Sequence, residues 1–178
     1  MALRLTLYFV KFFKRMVQTI HSTGLKEGDR APSFEGKDQD GNRIYSDDFK
    51  GKKIVLYFYP KDDTPGCTAE SCNLRDNYRQ LQKEGYVVLG VSKDSEKSHS
   101  KFAKKFKLPF PLLSDEDKKI VKAYDVWGMK KFMGRTFDGV VRTTFIISEK
   151  GIIERIIKKV DNENHAEQIL EKEMSLKK

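Results

Sequence analysis

Cysteine and histidine are both scarce in this chain of 178 residues, which has only Cys67 and Cys72, with His21, His99 and His165. Two cysteines cannot build the disulfide framework of a small secreted domain, so the cytoplasm is the expected compartment. Four residues separate the cysteines and the histidines are dispersed, a spacing that excludes a zinc centre; no metal site is expected. Long apolar runs are also missing. The stretch from Leu5 to Val10 falls far short of the roughly 20 residues that a spanning helix needs, which excludes a transmembrane segment there. The net charge of +9 is spread among 26 acidic residues, with no clustered basic face, stacking aromatics or recognition helix, so nucleic acid is not an expected partner. Repeats and low-complexity tracts are absent.

What is present is enough for one cored domain. Residues 1–24 read as an extension and residues 25–178 as the domain. The extension has no acidic residue, and Arg4, Lys11, Lys14 and Arg15 alternate with Leu, Phe, Tyr and Val. It lacks the apolar core and cleavage site of a secretory signal. Two readings stay open: an amphipathic helix that touches an anionic membrane through residues 1–20, or a start at Met16 with residues 1–15 outside the folded unit.

From Leu25 the pattern alternates between strand and helix signals. Gln39-Asp40-Gly41-Asn42 marks an opening hairpin, and Ile54–Tyr59 is a β-branched and aromatic run that fits a buried central strand ended by Pro60. Cys67–Glu84 carries Leu74, Tyr78 and Leu81 at helical spacing before Gly85. A strand over Tyr86–Ser92 and a helix over Ser95–Phe106 follow. Ser114 ahead of Asp115-Glu116-Asp117 reads as the N-cap of a helix through Tyr124. Arg142–Ser148 and Ile152–Lys158 form a second hairpin, and Asn164–Met174 a closing helix. The order predicts an α/β fold: a mixed central sheet with helices on both faces, a thioredoxin-like arrangement.

The chemistry is concentrated at Thr64-Pro65-Gly66-Cys67, between the strand and the first helix. Thr64 suits the N-cap, Pro65 the first helical position, and Cys67 the first turn. Unpaired N–H groups and the positive end of the helix dipole favour a thiolate at that place, although a free cysteine also serves as a small buried apolar residue.

The segment YFYPKDDTPGCTAESCNLRD resembles the active site of peroxiredoxins, in the order Pro60, Thr64, Cys67, and the second cysteine in CTAESC is similar to the peroxiredoxin Q or bacterioferritin comigratory protein group. The resemblance runs from about Leu25 to Leu170 through VLGVSKDSEKSHSKF, LPFPLLSDEDKKI, YDVWG and RTTFIIS. It implies a thiol peroxidase in which Cys67 attacks a hydroperoxide. Thr64 would hydrogen-bond peroxide and thiolate, Pro60 would shield the sulfur, and Arg142 would supply a guanidinium to the leaving oxygen. Glu70 matches the group's motif as well. Cys72 would resolve the Cys67 sulfenic acid as an intramolecular disulfide, reopened by thioredoxin or a similar dithiol, in a monomer that requires no haem, flavin or metal. Trp127 and Phe132 are candidates for the substrate pocket or the core. The rival reading on the same fold is a thiol–disulfide oxidoreductase, which would normally carry Cys-x-x-Cys.

On an intact helix the two Cα atoms, five residues apart, stand roughly 8–9 Å from each other. A disulfide needs less than about 7 Å. The helix is therefore expected to unwind locally when the bond forms.

Overall fold

The computed structural model describes residues 17–176, so the expectations for residues 1–15 lie outside the described residues, as does the Phe132 side chain. In chain order the strands are β1 (Val17–Thr19), β2 (Glu35–Lys37), β3 (Arg43–Tyr45), β4 (Lys53–Phe58), β5 (Tyr86–Ser92) and β6 (Leu112–Ser114), then β7 (Trp127–Phe132), β8 (Arg135–Val140), β9 (Thr143–Ile147) and β10 (Ile153–Ile157). The helices are α1 (Pro65–Asp76), α2 (Tyr78–Lys83), α3 (Glu96–Phe106), α4 (Lys119–Ala123) and α5 (His165–Leu176).

Seven strands make the central mixed sheet, in the order β10-β9-β4-β5-β6-β2-β3. Strand β4 lies parallel to β5 and antiparallel to β9, which explains its unbroken apolar run: both of its faces are covered. Val55, Tyr57 and Tyr59 point into a core closed by Leu74, Leu81, Phe102 and Ile169. Ile54, Leu56 and Phe58 point the other way, against Phe34, Val121, Tyr124 and Phe145. Helices α1, α2, α3 and α5 cover the first face and α4 the second, as a thioredoxin-like sheet requires.

Two expectations are corrected. The helix foreseen over Cys67–Glu84 is two helices, because Asn77 leaves helical geometry (φ −100°, ψ 9°), with both its backbone N–H and its side-chain amide donating to the Asn73 carbonyl. The helix foreseen from Ser114 is only Lys119–Ala123. Ser114 ends β6 and its hydroxyl donates to Asp94 O, while Asp115 does the capping, accepting from Ile120 N and Val121 N at 3.0 and 2.8 Å. The segment between Tyr124 and Arg142, for which the sequence offered no assignment, is a hairpin, β7 with β8, closed by Met133 and Gly134 at φ 47° and 80°. A two-residue turn of this kind needs positive φ at both positions, and methionine conceals that signal in sequence.

Strand β1 pairs with β7, and beyond it the Thr23 hydroxyl donates to Tyr124 O. Residues 17–24, which sequence assigns to the extension, thus lie against the hairpin and α4.

Candidate active site

The chain leaves β4 at Phe58 and turns through Pro60–Thr64 into α1, a path that aims the N-terminus of the helix at the edge of β9. Thr64 occupies the N-cap with extended backbone and Pro65 the first helical position. The hydroxyl of Thr64 does not cap, however. It donates to Lys61 O at 3.0 Å, closing the loop on itself rather than reaching the sulfur. Thr68 N donates to Thr64 O at 2.8 Å, which leaves the Gly66 and Cys67 N–H groups in the unpaired first turn.

Cys67 is 1% exposed and unbonded to Cys72; both thiols are free. Arg142, at the entrance to β9, brings Nη2 to 3.1 Å from Cys67 Sγ, while its Nη1 donates to Glu70 Oε2 in a short buried ion pair. Burial opposes the Arg142 charge, yet Glu70 and Cys67 outweigh it and hold the guanidinium pKa above its ordinary value. Glu70 is fully buried, so its carboxylate is tolerable there only because Arg142 compensates it. Space at Gly66 is tight: a Cβ there would stand 3.0 Å from Asn162 Nδ2 and 3.5 Å from Arg142 Nη2. Of the five residues expected from sequence, Cys67 and Arg142 are therefore in direct contact. Pro60 sits half-buried where β4 ends, Thr64 starts α1, and Cys72 lies half-buried one turn and a half beyond Cys67, its thiol pKa raised by burial.

Four contributors to this region escaped sequence reasoning. His165, fully buried at the start of α5, accepts from the Thr144 hydroxyl at Nε2 (2.8 Å) and stands 3.8 Å from Glu70 Oε1. Lys130 on β7 is buried, with Nζ donating to Val140 O at 3.0 Å; burial, then the charge of Arg142, lowers its pKa. Asp62 and His99 fix the active-site loop from beneath. The Asp62 carboxylate accepts from Tyr59 Oη (2.8 Å), Ser98 Oγ (2.7 Å) and His99 Nδ1 (2.9 Å), and the Asp62 amide donates to Asp94 Oδ2. His99 in the helix SEKSHSKF was the one legible hint, since a histidine flanked by two core positions, Phe102 and Ala103, needs a buried partner. Trp127 packs against the second core rather than beside Cys67. A surface cleft of about 980 Å³ runs between the β2–β3 hairpin and α4 and contains none of these residues.

The arrangement of a buried thiol, a clamped guanidinium and open backbone N–H groups can attack an O–O bond and stabilise the departing oxygen. Residues 27–156 match the model of the AhpC/TSA family. The chain is 47% identical over 146 residues to peroxiredoxin Bcp of Escherichia coli K12, covering 82% of this chain and 94% of that one. It is 43% identical over 152 residues to peroxiredoxin Bcp of Bacillus subtilis, covering 84% and 97%. Among solved structures it is similar to a cysteine-to-serine variant of Xylella fastidiosa PrxQ, with TM-score 0.81 and 32% identity over 88% of this chain and all of that one. It is equally similar in sequence to the Xanthomonas campestris bacterioferritin comigratory protein, TM-score 0.77 and 32% identity over 88% and 100%, whose structure is described for its alkyl peroxide reduction activity.

Proposed function

This chain belongs to the AhpC/TSA family and, within it, to the peroxiredoxin Q or Bcp group of thiol-dependent peroxidases, and from that premise we propose that Cys67 is its peroxidatic and Cys72 its resolving cysteine. The observation that carries the assignment is the 3.1 Å approach of Arg142 Nη2 to Cys67 Sγ inside the first turn of α1. The Cys67 thiolate attacks the distal oxygen of a hydroperoxide, the O–O bond breaks, and the leaving alkoxide or hydroxide takes a proton as alcohol or water. Negative charge grows on that leaving oxygen, where Arg142 and the Gly66 and Cys67 N–H groups supply fixed donors. Rotation of the Thr64 hydroxyl away from Lys61 O adds a further donor to the bound peroxide, and Pro60 restricts water at the sulfur.

The Cys67 sulfenic acid then condenses with the Cys72 thiol, forming the S–S bond and releasing water. A dithiol such as thioredoxin reduces the disulfide by exchange. The substrates on this reading are hydrogen peroxide and organic hydroperoxides, the active unit is a monomer of residues 25–178, and the compartment is the cytoplasm. Among the described residues no helix is long and apolar enough to cross a membrane.

The test is a count of free thiols within seconds of one equivalent of hydrogen peroxide, with products run on a non-reducing gel. Loss of both thiols without a covalent dimer is expected. Survival of either thiol, or loss of Cys67 alone in the wild type, would overturn the pairing.

A further inference from the structure

Disulfide formation requires one of two cysteines to travel, and the two ends of α1 are not held alike. The Cys67 end is fixed by charge. Arg142 reaches both Cys67 Sγ and Glu70, and the loop just upstream is pinned through Asp62 to His99 on α3 and to Asp94 after β5. The Cys72 end is held by Leu74 in the core, by Arg75 donating to Phe106 O, and towards α5 by the neighbouring Asn73. Asn73 Oδ1 accepts from Ala166 N at 2.8 Å and Asn73 Nδ2 donates to Glu163 O at 2.7 Å, so one side chain joins α1 to the first turn of α5 and to the residues just before it. Ala166 is the second residue of α5, and its N–H is one of the donors that a helix start leaves without an internal partner. Asn73 thus caps a helix that begins 92 residues after it in the chain.

We infer that Asn73 is a positioning residue for resolution: it latches the Cys72 turn to α5, and the latch must open before Cys72 can reach the Cys67 sulfenic acid. The inference rests on the Cys67–Cys72 pairing proposed above. Closing roughly 8–9 Å between Cα atoms to below about 7 Å moves the segment that bears Asn73, because the Cys67 side is tethered by the ion pair. Two hydrogen bonds of one side chain, to α5 and to the turn before it, break together, and Ala166 N–H loses its acceptor in the disulfide form. The step itself consumes the Cys67 sulfenic acid and the Cys72 thiol and releases water, so no further reactant is involved. By setting the rate of resolution, the latch also sets how long the sulfenic acid is exposed to a second peroxide, which would carry it to sulfinic acid.

The experiment uses the full chain and hydrogen peroxide, with rapid quench and mass analysis of alkylated products, in wild type, Asn73→Ala, Asn73→Asp and Cys72→Ser. Asn73→Ala is expected to leave the rate of Cys67 oxidation unchanged and to accelerate disulfide formation about tenfold, the effect of two lost neutral hydrogen bonds. About tenfold more peroxide is then needed to reach half sulfinic acid. Asn73→Asp keeps the acceptor for Ala166 N and loses the donor to Glu163 O, and falls between. The Cys67 oxidation rate reports folding, because it needs the intact Arg142 contact. Amide exchange at Ala166 should be slow in reduced wild type and fast in its disulfide form. A wild-type disulfide that forms normally, with an unchanged rate in Asn73→Ala, overturns the latch alone. No Cys67–Cys72 disulfide in wild type overturns the pairing, and the latch with it. A first step slowed together with the second makes Asn73 merely structural.

Discussion

Two buried carboxylate and histidine pairs lie under the active-site region, and they are compensated in opposite ways. In the pair beneath the loop, Asp62 and His99 touch at 2.9 Å, and the second His99 nitrogen faces Leu113 O at 3.2 Å. Both ring nitrogens therefore face oxygen atoms, one of the carboxylate and one of the backbone. Burial would raise the Asp62 pKa, but the hydrogen bond and charge of His99, helped by Ser98 and Tyr59, overcome it and hold the carboxyl below its ordinary value. In the pair beneath the sulfur, Arg142 claims Glu70 and His165 is left 3.8 Å away. Gln168 Oε1 accepts from Asp161 N, which orients the amide so that His165 Nδ1 must donate to the same oxygen. Nε2 is then the acceptor for the Thr144 hydroxyl, so this ring is neutral. Where structure alone is at stake a histidine, with hydroxyl donors beside it, holds the buried acid. Where the thiolate is at stake an arginine does, and the field at the sulfur stays constant over the working pH range.

Removing Arg142 should break this contrast with the largest effect. Arg142→Ala is expected to slow Cys67 oxidation by about 10²–10³-fold, as loss of a donor to a developing anion does, and to lower stability by about 3–5 kcal/mol because Glu70 is left buried and unpaired. The double variant Arg142→Met with Glu70→Gln should regain most of the stability and none of the rate, which separates the two roles. Stopped-flow oxidation and urea unfolding read them independently. If the double variant regained the rate, the guanidinium would have no part in the chemistry.

Asp62→Asn comes next. It leaves His99 facing an amide in place of a carboxylate, and a stability loss of about 2–4 kcal/mol is expected by urea unfolding. The rate of Cys67 oxidation should fall much less than in Arg142→Ala, since Asp62 holds the loop and does not face the sulfur. A rate loss as large as that of Arg142→Ala would erase the distinction between the two pairs.

How far each pair could be foreseen follows from where its members sit in the chain. The buried strands were legible because Ile54–Tyr59 and Tyr86–Ser92 carry their burial in their own composition. Cys67 and the loop before it were legible because helix-start chemistry is local. Arg142 lies 75 residues from Cys67, and only the family pattern joined them. The Asp62–His99 and Glu70–His165 pairs span 37 and 95 residues, and although His99 sat between core positions and Glu70 in the family motif, nothing local joined either to its partner. Asp115 capped a helix five and six residues away, farther than the usual capping distance, and so displaced the expected start at Ser114. The β7–β8 hairpin, which delivers Lys130, turns on Met133, a residue that seldom signals a turn.

The smallest expected effect tests whether His165 is the neutral member of the comparison. Burial first, and then the charges of Arg142 and Arg155, push its pKa below the ordinary 6.5, against the opposing pull of Glu70 and Gln168. A histidine depressed in the folded state binds its proton more readily when unfolded, so the unfolded chain holds more protons as pH drops below 6.5. Stability is therefore complete above that value and falls with pH until the lowered folded pKa is passed, by at most about 2 kcal/mol at pH 5. Asp62 contributes in the opposite acid range: its stabilisation is complete above its ordinary value of 3.8 and disappears only as pH falls through the lower folded value. Urea unfolding from pH 8 to pH 3 should show two separate losses. His165→Asn, which keeps a donor for Gln168 Oε1, should abolish the upper one and leave the lower intact. An upper loss that persists in His165→Asn would assign the titration elsewhere and dissolve the contrast between the two pairs.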